Sequence, residues 1–228
     1  MEIKSVFGTT EAKIQSKSHN PFFGISVNNR YFTQESIEIY LKWMLSIAKE
    51  AILVIIADDI QAINEEVFSR LAPTEALLKA RKKGIEVEQK VLAVLESIPA
   101  NERTKIRIVH WQALKSSALD KKLMELKKEC KDDPAFHGYI LRHVTTNLGS
   151  RSNSMSEQEL DRLSDYLLSE IALVLTGIRY KGQEYDLNPY PGVTTSQMFY
   201  ELQKGNLFPN IVPKGVLYKS CFVEAYSN

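Results

Sequence analysis

Three groups of residues in this chain have types and spacings suited to chemistry. In "FFGISVNNRYFT" (Phe22 to Thr33), Ser26 stands directly behind an apolar run and in front of Asn28 and Asn29. A serine there is either a nucleophile or the polar end of a buried strand, and the asparagines are either oxyanion donors or turn formers. The segment lacks the second glycine of a G-x-S-x-G elbow, and no histidine stands in a triad-like position. At a 3.6-residue period, Leu163, Tyr166, Leu167, Glu170, Leu173, Val174 and Gly177 share one stripe, which points Glu170 where its neighbours are buried. An unpaired carboxylate there costs roughly several kcal/mol, so it must meet a core arginine, backbone amides or a substrate ammonium. Tyr166, one turn earlier, can supply one donor. Lys79, Lys82, Lys83 and Lys90 fall within roughly a 100° arc of a helix, opposite Leu77, Val91 and Leu95. With Glu86 in the same arc, it is either a solvated face or a contact for a polyanion.

The elements that position these groups alternate between strand and helix. "AILVIIA" (Ala51 to Ala57) is a continuous apolar run, the pattern of a strand covered on both faces. Before it, Ile37, Tyr40, Leu41, Met44, Leu45 and Ala48 recur at helical spacing behind Thr33 as N-cap. "FFGIS", this helix and "AILVIIA" therefore read as a βαβ unit, whose ligand crevice lies at the carboxyl ends of its strands, where Ser26 sits. Thr74 to Ser97 and Leu114 to Lys131 read as helices, with "KIRIVHW" (Lys105 to Trp111) as a strand between them. "AFHGYILRHVTTNL" reads as a further helix and "NLGSRSNS" as a connector. Ser156 with Glu159 forms a capping box that opens a long helix ending near Gly177. The tail reads as turn-rich, then strand-like from Gly215 to Tyr226.

With 228 residues, 44% hydrophobic and 25% charged, the chain has the size and composition of a single soluble α/β domain spanning residues 1–228. A net charge of +1 leaves any polyanion to a local basic surface. Cys130 and Cys221 make no metal or redox motif, the four histidines have no ligand spacing, and no apolar run reaches the length of a membrane span. A cytoplasmic protein with no metal site, no membrane association and no evident protein partner is expected.

Taken together, these residues resemble the cyclodipeptide synthase family. "GISVNNRYFT" is similar to that family's G-I-S-x-x-N-x-Y-F-[ST] segment, which makes Ser26 the nucleophile with Gly24 and Asn29 beside it. "YLLSE" is similar to its Y-x-x-x-E segment, placing Tyr166 and Glu170 on the ammonium of the first aminoacyl group. "MFYE" is similar to the segment of a second active-site tyrosine, here Tyr200. The family's two subgroups differ in the residue after that tyrosine, glutamine or histidine in one and proline in the other; here it is Glu201, while Asn29 favours the first. Phe22, Val54, Trp111, Leu173 and Met198 fall where the family lines the first side-chain pocket, and Asn147 and Glu201 are assigned to the second.

The resemblance implies a Rossmann-like fold akin to class I aminoacyl-tRNA synthetases, with a mostly parallel central sheet flanked by helices. The chain has no H-I-G-H-like or K-M-S-K-S-like motif and no P-loop, so ATP activation and cofactors are not expected. Two aminoacyl-tRNAs would pass through an aminoacyl ester on Ser26 and a dipeptidyl enzyme to a 2,5-diketopiperazine, with Lys79, Lys82, Lys83 and Lys90 contacting tRNA. A serine acyl hydrolase or transferase would instead turn over small esters without tRNA. A non-catalytic tRNA-binding module would bind tRNA without a covalent adduct.

Overall fold

The run Ile52–Ile56 is buried at every position and forms the centre of a three-stranded sheet in the computed structural model, which describes residues 1–205, 208, 210–212 and 220–226. In chain order the elements are β1 (Glu2–Phe7), α1 (Glu11–Gln15), β2 (Phe22–Ile25), α2 (Gln34–Ile47), β3 (Ile52–Ile56) and α3 (Asp58–Ser69). Next come α4 (Pro73–Glu96), α5 (Ala100–Arg103), β4 (Ile106–His110), α6 (Ser117–Asp132), α7 (Pro134–Leu148) and α8 (Glu157–Thr176). The chain continues with β5 (Ile178–Tyr180), β6 (Gln183–Tyr185), β7 (Leu187–Tyr190), α9 (Val193–Gln203) and β8 (Cys221–Tyr226).

β2 and β4 flank β3, and both pair with it in parallel. Parallel neighbours need long crossovers, and the chain supplies α2 between β2 and β3 and α3 to α5 between β3 and β4. Because side chains alternate along a strand, the sheet divides its residues between two cores. Phe23, Ile25, Val54 and Ile56 pack with α2 and α4, while Phe22, Leu53, Ile55 and Val109 face α6, α7 and α8. Each such aliphatic side chain, taken wholly out of water, contributes roughly 1.5–3 kcal/mol.

A second sheet, in the order β1-β8-β7, pairs β8 antiparallel with β1 and parallel with β7. Asn20 fastens it to the first. Its side-chain oxygen accepts from the backbone of Glu50 and Ala51 at 2.9 and 3.0 Å, its amide donates to the Glu184 carbonyl, and its own carbonyl accepts from Asp186 N. A parallel bridge between Pro21 and Leu187 completes the junction. β2 and β7 thus run side by side in one direction, and their carboxyl ends, Ser26 and Tyr190, meet.

The capping box opens α8 as its spacing predicts: Ser156 Oγ accepts from Glu159 N at 3.3 Å, and Glu159 accepts from Ser156 N at 2.8 Å. Ser156→Ala is expected to lower stability by about 1 kcal/mol in urea unfolding. No change would mean that water satisfies the first turn equally well.

Three segments differ from the reading above. The connector after α7 closes into a 3₁₀ turn at Gly149–Ser154. α3 follows β3 at once, its first turn holding Asp58 and Asp59 where the helix dipole favours anions. α9 arises in the stretch read as turns, because Met198, Phe199 and Leu202 bury one face against the core. The tail strand is Cys221–Tyr226, and residues 215–219 of that expectation lie outside the described residues. Among the described residues no helix is long and apolar enough to cross a membrane.

Candidate active site

Ser26 follows the last residue of β2, where the strand gives way to a tight turn closed by Asn29 N donating to the Ser26 carbonyl at 3.0 Å. Asn29 Oδ1 accepts from Tyr31 N at 3.0 Å, which fixes the exit of the turn toward the cap of α2. Ser26 Oγ lies 3.3 Å from the Tyr166 hydroxyl. The Tyr190 hydroxyl stands beside Ser26 and Asn29, near enough for both to hold its pKa down against burial. Gly24, one pleat back on β2, lines the same cavity, and a Cβ there would meet nothing within 4 Å. Any larger side chain would project into the space the site keeps open.

Glu170 stands one turn after Tyr166 on α8, which brings its carboxylate near the tyrosine hydroxyl. Burial pushes the Glu170 carboxyl up to about 7, against the smaller pull of the Tyr166 hydroxyl. Among the described residues no ion pair holds it. Among the described residues no core arginine reaches Glu170, so its desolvation cost is carried into the open site. Burial, and then the nearby Glu170 charge, raise the pKa of Tyr166 and of Tyr190, keeping both hydroxyls protonated.

These groups occupy one wall of a cavity of about 400 Å³. Its other walls are largely apolar, with Phe22, Ile55, Trp111, Leu173 and Val174. Asn147 also lines it. Val54 does not: in a strand of period two it faces the opposite core, and Ile55 takes its place. Met198 is buried behind the wall that Thr195, Ser196 and Phe199 supply from α9. Tyr200 does not line the cavity either. Its ring packs 5.7 Å from Phe7, with Lys204 Nζ 4.2 Å from its centroid. Glu201 is not among the residues lining the cavity, and its charge, after burial, raises the pKa of Tyr139 on α7. The second tyrosine of the site is Tyr190, followed by Pro191, which lines the cavity too.

Two buried carboxylates hold the surroundings. Asp58, 3% exposed, accepts from His110 Nδ1 at 2.7 Å and from Trp111 N at 3.2 Å, setting the start of the turn that carries the Trp111 wall. Burial opposes charge on His110, but its bonds to Asp58 and Glu88 outweigh that and raise its pKa. Glu65 of α3 accepts from Asn28 Nδ2 at 3.0 Å, so Asn28 serves this carboxylate and not an oxyanion. Lys79 and Lys83 pair with the same Glu65 at 2.8 and 2.5 Å. Half of the expected cationic arc is thereby engaged in ion pairs with a buried carboxylate. Burial raises the Glu65 pKa, and its bonds to the two lysines, Asn28 and Ser69 lower it further, to about 2. Lys82 and Lys90 stand exposed on α4.

Against this geometry, the family model described as cyclodipeptide synthase matches residues 3–200. A cyclodipeptide synthase of Fluoribacter dumoffii is similar in structure, with a TM-score of 0.71 and 17% identity over 96% of this chain and 95% of that one. A Mycobacterium tuberculosis protein, whose structure relates cyclodipeptide synthetases to type I tRNA synthetases, has a TM-score of 0.67 at 16% identity, covering 97% of this chain and 94% of its own. A cyclodipeptide synthase from Candidatus Glomeribacter gigasporarum bound to Phe-tRNA superposes with a TM-score of 0.63 at 18% identity, over 92% of this chain and 88% of that one. A sequence search of curated proteins finds no match. The likeness to these structures is one of fold: a synthetase-like Rossmann arrangement with a parallel sheet between helices.

Proposed function

The chain belongs to the cyclodipeptide synthase family of tRNA-dependent aminoacyltransferases, and we propose that it joins the aminoacyl groups of two aminoacyl-tRNAs by a ping-pong route through an ester on Ser26. The observation that carries this reading is the meeting of Ser26, Tyr166, Tyr190 and Glu170, which no described residue ion-pairs, on one wall of a largely apolar cavity.

An aminoacyl ester is an activated acyl donor, so a serine can accept it without the triad that an amide demands. The substrate α-ammonium pairs with Glu170, the side chain enters the apolar cavity, and the ester carbonyl is left facing Ser26. Ser26 Oγ bonds to that carbonyl carbon, the bond to the ribose oxygen breaks, and the serine proton passes to the departing oxygen through the hydroxyls of Tyr166 and Tyr190. For a dipeptidyl enzyme to follow, the attacking amine must be that of the residue already on Ser26. It must first lose a proton, and a carboxylate with a pKa near 7 beside it is suited to accept one. That amine attacks the second aminoacyl ester and releases the second tRNA. The new terminal amine then attacks the seryl ester, closing the ring and returning a proton to Ser26.

Phe22, Ile55, Trp111 and Leu173 fit an apolar first residue, and Asn147 gives the second a polar neighbour. Lys82 and Lys90 are the members of the cationic arc left for tRNA phosphates. In the pattern that separates the two subgroups, Pro191 now follows the second tyrosine, while Asn29 keeps the mark of the other subgroup.

Expression in a bacterium followed by mass spectrometry of the medium should yield a cyclic dipeptide, whose mass identifies the residues joined. Linear products alone would count against this reading. Tyr190→Phe is expected to slow product formation by roughly 10- to 100-fold, and Tyr200→Phe by less than about twofold. The reverse order would return the role to Tyr200.

A further inference from the structure

The outer face of α4 is apolar where a surface helix is expected to be polar. Among the described residues five large apolar side chains are exposed, and three of them, Leu78 at 65%, Ile85 at 53% and Leu92 at 40%, stand on this one helix. They recur every seventh residue, so at about 100° per residue they fall within roughly 40° of one another, in a row along the helix. Ala76, Ala80, Val87 and Val94 occupy the opposite face, the one α4 buries against α2 and α3. Single exposed aliphatic residues need no explanation, but an aligned row of them marks a contact surface. We propose that a second copy of this chain docks there, α4 against α4, antiparallel about a two-fold axis at Ile85.

The seven-residue spacing is that of a helix-pair seam, in which two helices cross at roughly 20°. A two-fold axis at Ile85 sets this residue against itself and Leu78 of each copy against Leu92 of the other. In such a pair, residues on the same flank of the row meet. Arg81 and Glu88 share one flank, and the axis brings Arg81 within one residue's rise, about 1.5 Å, of Glu88 of the second copy, twice over by symmetry.

Both groups have capacity for that contact. Arg81 holds Asp59 through Nε and Nη2, at 2.8 and 3.2 Å, and retains Nη1. Glu88 meets His110 through Oε2, at 3.3 Å, and retains Oε1. On the other flank Lys82 meets the neutral Gln89 of the second copy, which leaves its charge for tRNA. Glu75 and Glu96 approach one another only at the two ends, where the crossing separates the helices. A parallel pair would instead set Arg81 beside Lys82 of the copy, like against like. The flanks thus carry both signs in self-complementary order, which a second copy requires and an anionic surface does not. These rim charges set the orientation, and the apolar row supplies the affinity.

Sedimentation of the RNA-free protein over a range of concentrations tests this. One helix pair buries less area than a stable dimer needs, so wild-type protein should be monomeric near ~1 µM and largely dimeric at about 300 µM. Ile85→Glu, which sets two carboxylates against each other at the axis, should raise the dissociation constant roughly 100-fold. Because Ile85 is half exposed, this variant should keep the circular dichroism of the wild type. Under mild oxidation Ile85→Cys should cross-link with itself, above the background set in wild type by Cys130 and Cys221. Leu78→Cys should cross-link with Leu92→Cys when the two are mixed, and not with itself. Wild-type protein that stays monomeric to about 300 µM overturns the proposal; if it then floats with anionic lipid vesicles, the face belongs to a membrane surface. A dimer untouched by Ile85→Glu overturns it by placing the interface elsewhere, and Leu78→Cys cross-linked with itself does so by making the pair parallel.

Discussion

Ser26→Ala is expected to stop cyclic dipeptide formation, with a fall of roughly 10³-fold or more, while the protein keeps its fold and its affinity for tRNA. The size follows from the chemistry: without the hydroxyl there is no covalent intermediate, and both later steps lose their starting point. Little else should change. Among the described residues Ser26 Oγ bonds the Tyr166 hydroxyl, which like that of Tyr190 faces an open cavity and can turn to water. The turn itself is held by backbone, through Asn29 N to the Ser26 carbonyl. Urea unfolding and tRNA binding measured beside activity separate the outcomes. A variant that still makes product would end the covalent mechanism, and one that neither folds nor binds would place Ser26 in the scaffold.

Glu170→Gln should lower activity by roughly 10- to 100-fold, the loss of one charge-assisted bond to the substrate ammonium. The same change should raise stability at alkaline pH. Burial lifts the folded-state pKa from 4.5 to about 7, so between these values the folded protein binds more protons than the unfolded chain. Stability contributed by the protonated form is then fully present below about pH 4.5 and is lost as pH rises to about 7. Relative to wild type, Glu170→Gln should be more stable by about 3 kcal/mol at pH 8 and equal near pH 4. A variant less stable at pH 8 would show that the carboxylate has a structural cation partner. The wild-type kcat/KM for the first half-reaction should climb through pH 7 as Glu170 ionises, then fall as the substrate ammonium, near pKa 8, deprotonates.

What the sequence made legible was local. The β3 run, the α2 cap, the α8 capping box and the Tyr166 to Glu170 spacing each depend on residues within a turn or two of one another. Val54 and Ile55 differ by one position in a strand, and only the register against β2 and β4 decides which faces the site. Tyr190 needed more. Its place beside Ser26 comes from the docking of β7 along β2 through Asn20 and Asp186, a contact between residues 166 apart that no periodicity reports. Its one local signal was its position, the end of a short strand before Pro191 and Gly192, as Ser26 ends β2. The lysine arc was read from a helix wheel, which could not register Glu65 on the neighbouring helix.

The central claim is that an acyl group rests on Ser26 during turnover. Wild-type protein mixed with one kind of aminoacyl-tRNA, quenched in acid and digested, should give a peptide containing Ser26 whose mass is increased by that aminoacyl residue, and a second charged tRNA should discharge it as cyclic dipeptide. Product formed with no aminoacyl mass on Ser26 at any time point, or an adduct carried by another residue, would contradict the account.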